Sequence, residues 1–305
     1  GALTRVAHYG DSSIAADGIT STVRRRLQRR FGDGGHGFHL VTRGTMPYRH
    51  LDLEHAASGP WRLRQLVRAG LGSGRYGYGG VQARSVAGGR ATFGTDAEAP
   101  VGRKVTRFEL FYQRHPRGGR VELRVDDGEP VVVQTRAPEV EDARHVLTVP
   151  DGEHELALRT LGGGESRLYG VVLERDAAGV VYDSLGMVGA RARRMLRFDE
   201  AHFRRQHALR DTDLIVLGFG GNDADDPRAG EEFESDFARV AAMVRRARPE
   251  AACLLMAPLD QARRGERGGI RTIPQVPVIV EAMRRAARRE GCAFFDTFQA
   301  MGGEG

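Results

Sequence analysis

Two stretches of this chain alternate strand with helix, and the stretch between them alternates residue by residue. Few folds accommodate both patterns. Leu3, Val6 and His8 lead to Gly10-Asp11-Ser12-Ser13, after which Ile19, Val23, Leu27 and Phe31 recur every fourth residue with arginines between them. That reads as strand, turn and amphipathic helix. After Tyr182 the alternation returns: a helix over 190–209, a buried strand over 213–219, and a helix with Phe233, Phe237, Val240 and Val244 on one face. A strand over 252–256, a helix over 276–289 and a strand over 293–296 follow. Such alternation predicts a parallel sheet with helices on both faces.

Between residues 72 and 179 short alternating runs appear at 107–112, 121–125, 131–133, 145–149, 155–158 and 168–173. Turn signals separate them, including Gly118-Gly119, Asp126-Asp127-Gly128 and Gly162-Gly163-Gly164. Regular short strands of this kind predict an antiparallel sandwich or jelly roll. The expected division is one α/β unit in two parts, 1–71 and 180–305, interrupted by a β-sandwich insert at 72–179. Residues 38–71 fit neither pattern, and no internal repeat is visible.

At 305 residues the chain is long enough to bury a core without staples. No run of eighteen apolar residues is present, so no membrane span is expected. Two cysteines make neither a disulfide framework nor a zinc ribbon, and Cys253 and Cys292 read as free, buried, small hydrophobes. The formal charge is +6, and Lys104 is the only lysine among 46 basic residues. The arginines are spread over nearly every helix rather than clustered on one face, so no nucleic-acid partner is expected. An anionic glycan is compatible with this charge. Gly1 without a Met and the final Gly-Gly-Glu-Gly read as cut ends, so a signal peptide before Gly1 is compatible too.

Three turns follow apolar strands. Gly10-Asp11-Ser12 places a serine where ligands meet an open α/β sheet, at a strand's carboxyl end. Alone it reads better as a helix N-cap by Ser12 or Ser13. Gly220-Gly221-Asn222-Asp223 offers a neutral amide donor suited to an oxyanion, or an ordinary Asx turn. Gly186-Met187-Val188-Gly189 is a glycine turn into a helix.

Taken together, in this order and strand context, the three turns resemble the SGNH (GDSL) hydrolase superfamily over roughly 1–40 and 181–305. The resemblance implies a flavodoxin-like three-layer α/β fold, which the β-sandwich or jelly-roll insert interrupts. It implies Ser12 as the catalytic nucleophile. The oxyanion hole would be the N–H groups of Ser12 and Gly189 with the side-chain amide of Asn222. Gly189 is preferred to Gly186 because the family's donor glycine is the later one of the turn. Asp223 is assigned to shaping the turn. No cofactor and no metal are implied.

The family's Asp-x-x-His, which supplies the general base, is not found after the last strand. It is expected within a few dozen residues beyond Gly305. Asp199-Glu200-Ala201-His202 has the spacing but precedes the Asn222 turn, on a helix expected at the opposite end from Ser12. His8 reads as a packed strand residue. His36, His39, His50 and His55 are loop candidates among which no pattern selects.

The architecture resembles bacterial carbohydrate and peptidoglycan O-acetylesterases. The expected function is a serine esterase removing O-acetyl groups from a cell-wall or other polysaccharide, with an acetylated glycan or small acyl ester as partner. A periplasmic or secreted location follows from the same resemblance. The alternatives are an acyltransferase of the same fold and a non-catalytic glycan-binding protein with a degenerate hydrolase core. Trp61, Tyr76, Tyr78 and Tyr112 are candidates for stacking on sugar rings, or for packing.

Overall fold

The computed structural model describes residues 2–45, 48–68, 70–264 and 269–303. Strand β1 (Leu3–Gly10) leads into the short helix α1 (Ser12–Ala15) and the longer α2 (Gly18–Phe31). Nine strands follow: β2 (Gly37–Leu40), β3 (Leu53–Ser58), β4 (Arg62–Gln65), β5 (Val81–Thr95), β6 (Val105–Arg114), β7 (Arg120–Val125), β8 (Val131–Gln134), β9 (Glu141–Gly152) and β10 (Glu155–Glu174). Then come β11 (Gly179–Gly186), α3 (Glu200–Arg210), β12 (Leu214–Gly218), α4 (Gly230–Ala247) and β13 (Ala252–Met256). The chain continues with a small hairpin of β14 (Ala262–Arg264) and β15 (Ile270–Thr272), then α5 (Gln275–Glu290), β16 (Ala293–Phe295) and α6 (Thr297–Ala300).

Five strands form the expected parallel sheet, in the order β11-β1-β12-β13-β16. Their side chains alternate between two apolar layers. Val6, Tyr182 and Val216 meet Val23 and Leu27 of α2 on one face. Ala7, Tyr9, Ile215, Leu217 and Leu255 lie in one cluster with Phe233 and Phe237 of α4 and Ile279 and Met283 of α5 on the other. Both faces are covered, as a parallel sheet requires.

The nine intervening strands make an antiparallel sheet built on β3-β5-β10-β6-β9, with Phe93, Phe108, Leu110, Leu158 and Leu168 in its core. It begins earlier than the alternating texture. β2 pairs with β10, and β3 and β4 pair with β5, although all three lie in the stretch that fits no pattern. Gly162-Gly163-Gly164 is not a turn between strands. It lies inside β10, at positive φ, where the register with β5 shifts between Leu161 and Ser166. The glycines supply the left-handed backbone that such a bulge needs.

Two further expectations are corrected. The helix over 190–209 is broken: Ala192–Arg197 is a 3-10 turn, Phe198 is extended, and α3 starts at Glu200. Asp199 makes the new start, because its carboxylate accepts the N–H of His202 at 2.8 Å. Cys253 and Cys292 are not free thiols but form a disulfide. The parallel register of Leu254 with Ala293 sets their Cα atoms 4.8 Å apart, within bridging distance. Among the described residues, no helix is long and apolar enough to cross a membrane.

Candidate active site

β1 is the central strand of the motif region, flanked by β11 and β12, and its last residue, Gly10, is level with Gly186 on one side and Gly218 on the other. The row has a steric cause. A Cβ on Gly10 would lie 2.2 Å from Ile14 Cγ1 and 2.6 Å from the Gly218 carbonyl oxygen. One on Gly186 would lie 1.9 Å from the Ala15 nitrogen. Bare backbone lets α1 turn back across the sheet edge directly after the strand. Ser12, its first residue, is exposed there.

The cap of α1 is Asp11, not Ser12 or Ser13. Its Oδ1 accepts the Ser13 N–H at 2.9 Å and the Ser13 hydroxyl at 2.7 Å. Ser12 is therefore left with its hydroxyl uncommitted to the helix. Gly189 is exposed at φ +75, and a Cβ there would meet nothing within 4 Å. Gly186 is thus the glycine of close packing and Gly189 the glycine of backbone conformation.

A reciprocal clasp joins the second and third turns. Asn222 Nδ2 donates to the Ala190 carbonyl at 2.9 Å, and Arg191 Nε donates to the Asn222 carbonyl at 2.9 Å. Arg191 Nη2 reaches on to Asp226 Oδ1 at 2.7 Å. Asn222 spends one amide hydrogen on the clasp, and the amide carries a second. Asp223 is buried in this turn, and burial pushes its carboxyl up to about 6 against the pull of Arg191 and Arg193. Gln261 closes the other side by donating to the Gly221 carbonyl at 3.0 Å. Ser12, Ser13, Phe219, Asn222, Pro258 and Gln261 line a small cleft of about 100 Å³. Gly189 does not line it. Arg191 and Gln261 carry no motif signal, since their roles depend on which turns meet in space.

Among the described residues, none of the ten histidines hydrogen-bonds to Ser12. His202 has both ring nitrogens engaged elsewhere. Its Nε2 accepts the Gly77 N–H at 2.8 Å, so its Nδ1 carries the proton and donates to Asp142 at 2.6 Å. The Asp199-x-x-His202 spacing thus marks a capped helix pinned to β9. His8 is packed as expected: its Nδ1 meets the Tyr182 hydroxyl at 2.8 Å, and burial lowers it to about 3. His36, His39 and His50 come together, with His55 on the same small cavity as His39 and His50. Burial holds His36 and His39 well below the usual imidazole range and His50 at about 4.

The aromatic candidates pack rather than stack on a ligand. Tyr76, Tyr78 and Tyr112 are buried. Trp61 donates its Nε1–H to the Arg90 carbonyl at 3.2 Å and packs against the antiparallel core.

Residues 154–305 match the model of the GDSL-like lipase/acylhydrolase family. No curated protein matches the chain. A solved structure titled "Peptidoglycan O-acetylesterase in action, 5 min" superposes with a TM-score of 0.79 at 21% identity, over 99% of this chain and 80% of that one. A family two carbohydrate esterase from Cellvibrio japonicus aligns over 79% of this chain and 87% of its own at 11% identity, with a TM-score of only 0.29. A salicylyl-acyltransferase from a tetracycline biosynthetic pathway aligns over 86% and 85% at 15% identity, with a TM-score of 0.32. The first superposition shows a shared fold, and the other two are too loose to add to it. With three glycine turns gathered at one edge of a parallel sheet and the family match over residues 154–305, the chain resembles the GDSL-like lipase/acylhydrolases and is a carboxylic ester hydrolase.

Proposed function

We propose that the protein is a serine acetylesterase that removes O-acetyl groups from a bacterial cell-wall glycan through an acyl-enzyme. The observation that carries this reading is the clasp between Ala190-Arg191 and Asn222 beside the exposed Ser12. Ser12 Oγ attacks the acetyl carbonyl carbon and gives its proton to a general base. The N–H groups of Ser12 and Gly189 and the free hydrogen of the Asn222 amide bind the oxyanion. Collapse breaks the ester bond, and the departing sugar oxygen takes up the proton. Water, deprotonated by the same base, then attacks the acetyl-serine, releasing acetate and restoring Ser12.

The narrow cleft favours a short acyl group. The peptidoglycan O-acetylesterase that shares the fold supports the glycan. The disulfide supports an oxidising compartment, hence the periplasm or cell exterior. We read the antiparallel strands as a jelly-roll-like insert between the two parts of the hydrolase, its first strands drawn from within 1–71.

Assay of the full-length protein on O-acetylated peptidoglycan and on p-nitrophenyl acetate tests the reading. Free acetate should appear, and Ser12→Ala should abolish its release. Turnover unaffected by Ser12→Ala would sink the esterase assignment. Transfer of acetyl to an acceptor glycan in place of acetate release would make the protein an acyltransferase.

A further inference from the structure

We propose that His36, His39 and His50 form a transition-metal site, with Zn²⁺ the best-suited ion, that braces the back of the nucleophile turn. One ring nitrogen from each of the three lies within 4.8 Å of the other two. Four-coordinate zinc holds imidazole nitrogens at about 2.0–2.1 Å, which places ligand pairs about 3.4 Å apart. Movements of an ångström or so close the set. Three neutral imidazoles are a donor set that zinc, copper and nickel accept and that calcium and magnesium do not.

The hydrogen bonding favours an ion over plain packing. His36 Nε2 lies 2.6 Å from the Leu51 carbonyl, which only accepts, so this nitrogen holds the proton and Nδ1 is a bare lone pair. A second N–H anchored on a backbone carbonyl is the usual support of a metal-bound histidine. His39 Nε2 donates to that lone pair at 2.8 Å and His50 Nε2 bonds the Tyr48 hydroxyl at 2.8 Å, contacts that an ion would replace or flank, while His39 Nδ1 is buried with no hydrogen-bond partner. Buried polar atoms are seldom left so. His202 makes the contrast, since each of its nitrogens has a partner. A cavity of about 40 Å³, bordered by His39, His50, Tyr48, Arg43 and Arg49, leaves room for a water or small anion as a further ligand.

The cluster joins two elements that matter to Ser12. His39 lies on β2, and His50 lies on the segment running from Tyr48 to Asp52. That segment is bonded to the end of α1 and the residues after it. Arg49 N–H donates to the Ala15 carbonyl at 3.1 Å, Arg49 Nε to the Ala16 carbonyl at 3.1 Å, and Leu51 N–H to Asp17 Oδ2 at 2.8 Å. An ion would fix this segment to β2 without touching the reacting atoms.

The test is independent of ester hydrolysis. The full-length protein is stripped with a chelator and titrated with Co²⁺, followed by its visible d–d absorption, and the Co²⁺ is then displaced with Zn²⁺. One equivalent should bind. His39→Gln and the less buried His50→Gln should each weaken binding by more than about 10-fold, as loss of a coordinating or supporting group does. His145→Gln, on β9, should bind as the parent does. Circular dichroism confirms folding, and if His39→Gln misfolds the His50→Gln result decides. Absence of saturable binding at one equivalent, or unchanged affinity in His50→Gln, overturns the proposal and leaves the esterase reading standing.

Discussion

At the carboxyl edge of the parallel sheet the chain is built on glycine, with Gly10, Gly186 and Gly218 level across three strands. At the junction with the antiparallel sheet it is built on arginine. Arg210, fully buried at the end of α3, pairs with Glu174 of β10 and, at 2.8 Å, with Asp183 of β11. Glu174 also holds Arg5 of β1 at 3.0 Å and Arg107 of β6. Asp183 further accepts the Phe38 N–H and the Tyr78 hydroxyl. One region keeps side chains out so that α1 can turn back across the strand ends. The other fills a largely buried seam with paired charges, because an unpaired buried charge is costly. Three arginines, Arg5, Arg107 and Arg210, thus help to hold the two sheets together. The two regions should respond to mutation in opposite currencies, rate at the edge and stability at the seam.

The sharpest break would come at Ser12. Ser12→Ala should lower kcat/KM for p-nitrophenyl acetate by about 10⁴-fold or more in the full-length protein, with the melting temperature essentially unchanged because the side chain is exposed. At the seam, Arg210→Met should cost about 3–5 kcal/mol in denaturant unfolding and leave kcat of the folded enzyme near the parent value. The same variant sharpens the pH dependence. Burial alone would raise Glu174, but Arg210, Arg5 and Arg107 overcome it and hold the carboxyl at about 2, below its ordinary 4.5. Its contribution is therefore complete above about pH 4.5 and is lost as the pH falls towards 2. Without Arg210 the folded carboxyl moves up towards its ordinary value, so this acid-dependent loss should be smaller and be complete at a higher pH, which a series of melts across the acid range would show.

Returning to the edge, Asn222→Ala should reduce kcat by about 10²–10³-fold, the usual loss for one oxyanion donor, with KM little changed. Arg191→Ala removes the other half of the clasp and should cost about 10–100-fold in kcat through misplacement of the Asn222 turn. Arg191→Lys should restore little, since one ammonium does not reproduce the two directed bonds from Nε and Nη2. If Arg191→Ala lowers the melting temperature but not kcat, Arg191 belongs with the seam and the division drawn here fails at that residue.

The parallel strands and the three turns were legible because each depends on local pattern: apolar runs, glycines directly after them, and helical spacing between. What was not legible depends on register. Nothing in the spacing of Cys253 and Cys292 announces a bond, which arises because β13 and β16 are neighbours in the sheet. The gathering of His36, His39 and His50 needs β2 paired with β10 and the Tyr48–Asp52 segment folded against α1. Asp199 carried a readable capping signal, an acidic residue ahead of Glu200 and a helical run, and its spacing to His202 has a structural cause. The Gly162–Gly164 run shows that glycine marks a backbone need, which a bulge meets as well as a turn.

The placement of β1 bears on the order of assembly. Leu3 pairs with Gly179 and Val6 with Leu214, so β1 leaves the ribosome with neither of its neighbours, which follow only after the antiparallel strands. The antiparallel strands, whose partners are mostly nearer in sequence, are complete before then. Long-range pairing is slow, and an unpaired apolar strand exposes its edge while it waits. The parallel sheet is thus the last part to close, and the edge that carries Ser12 forms only when β1 meets β11 and β12 across the intervening antiparallel strands.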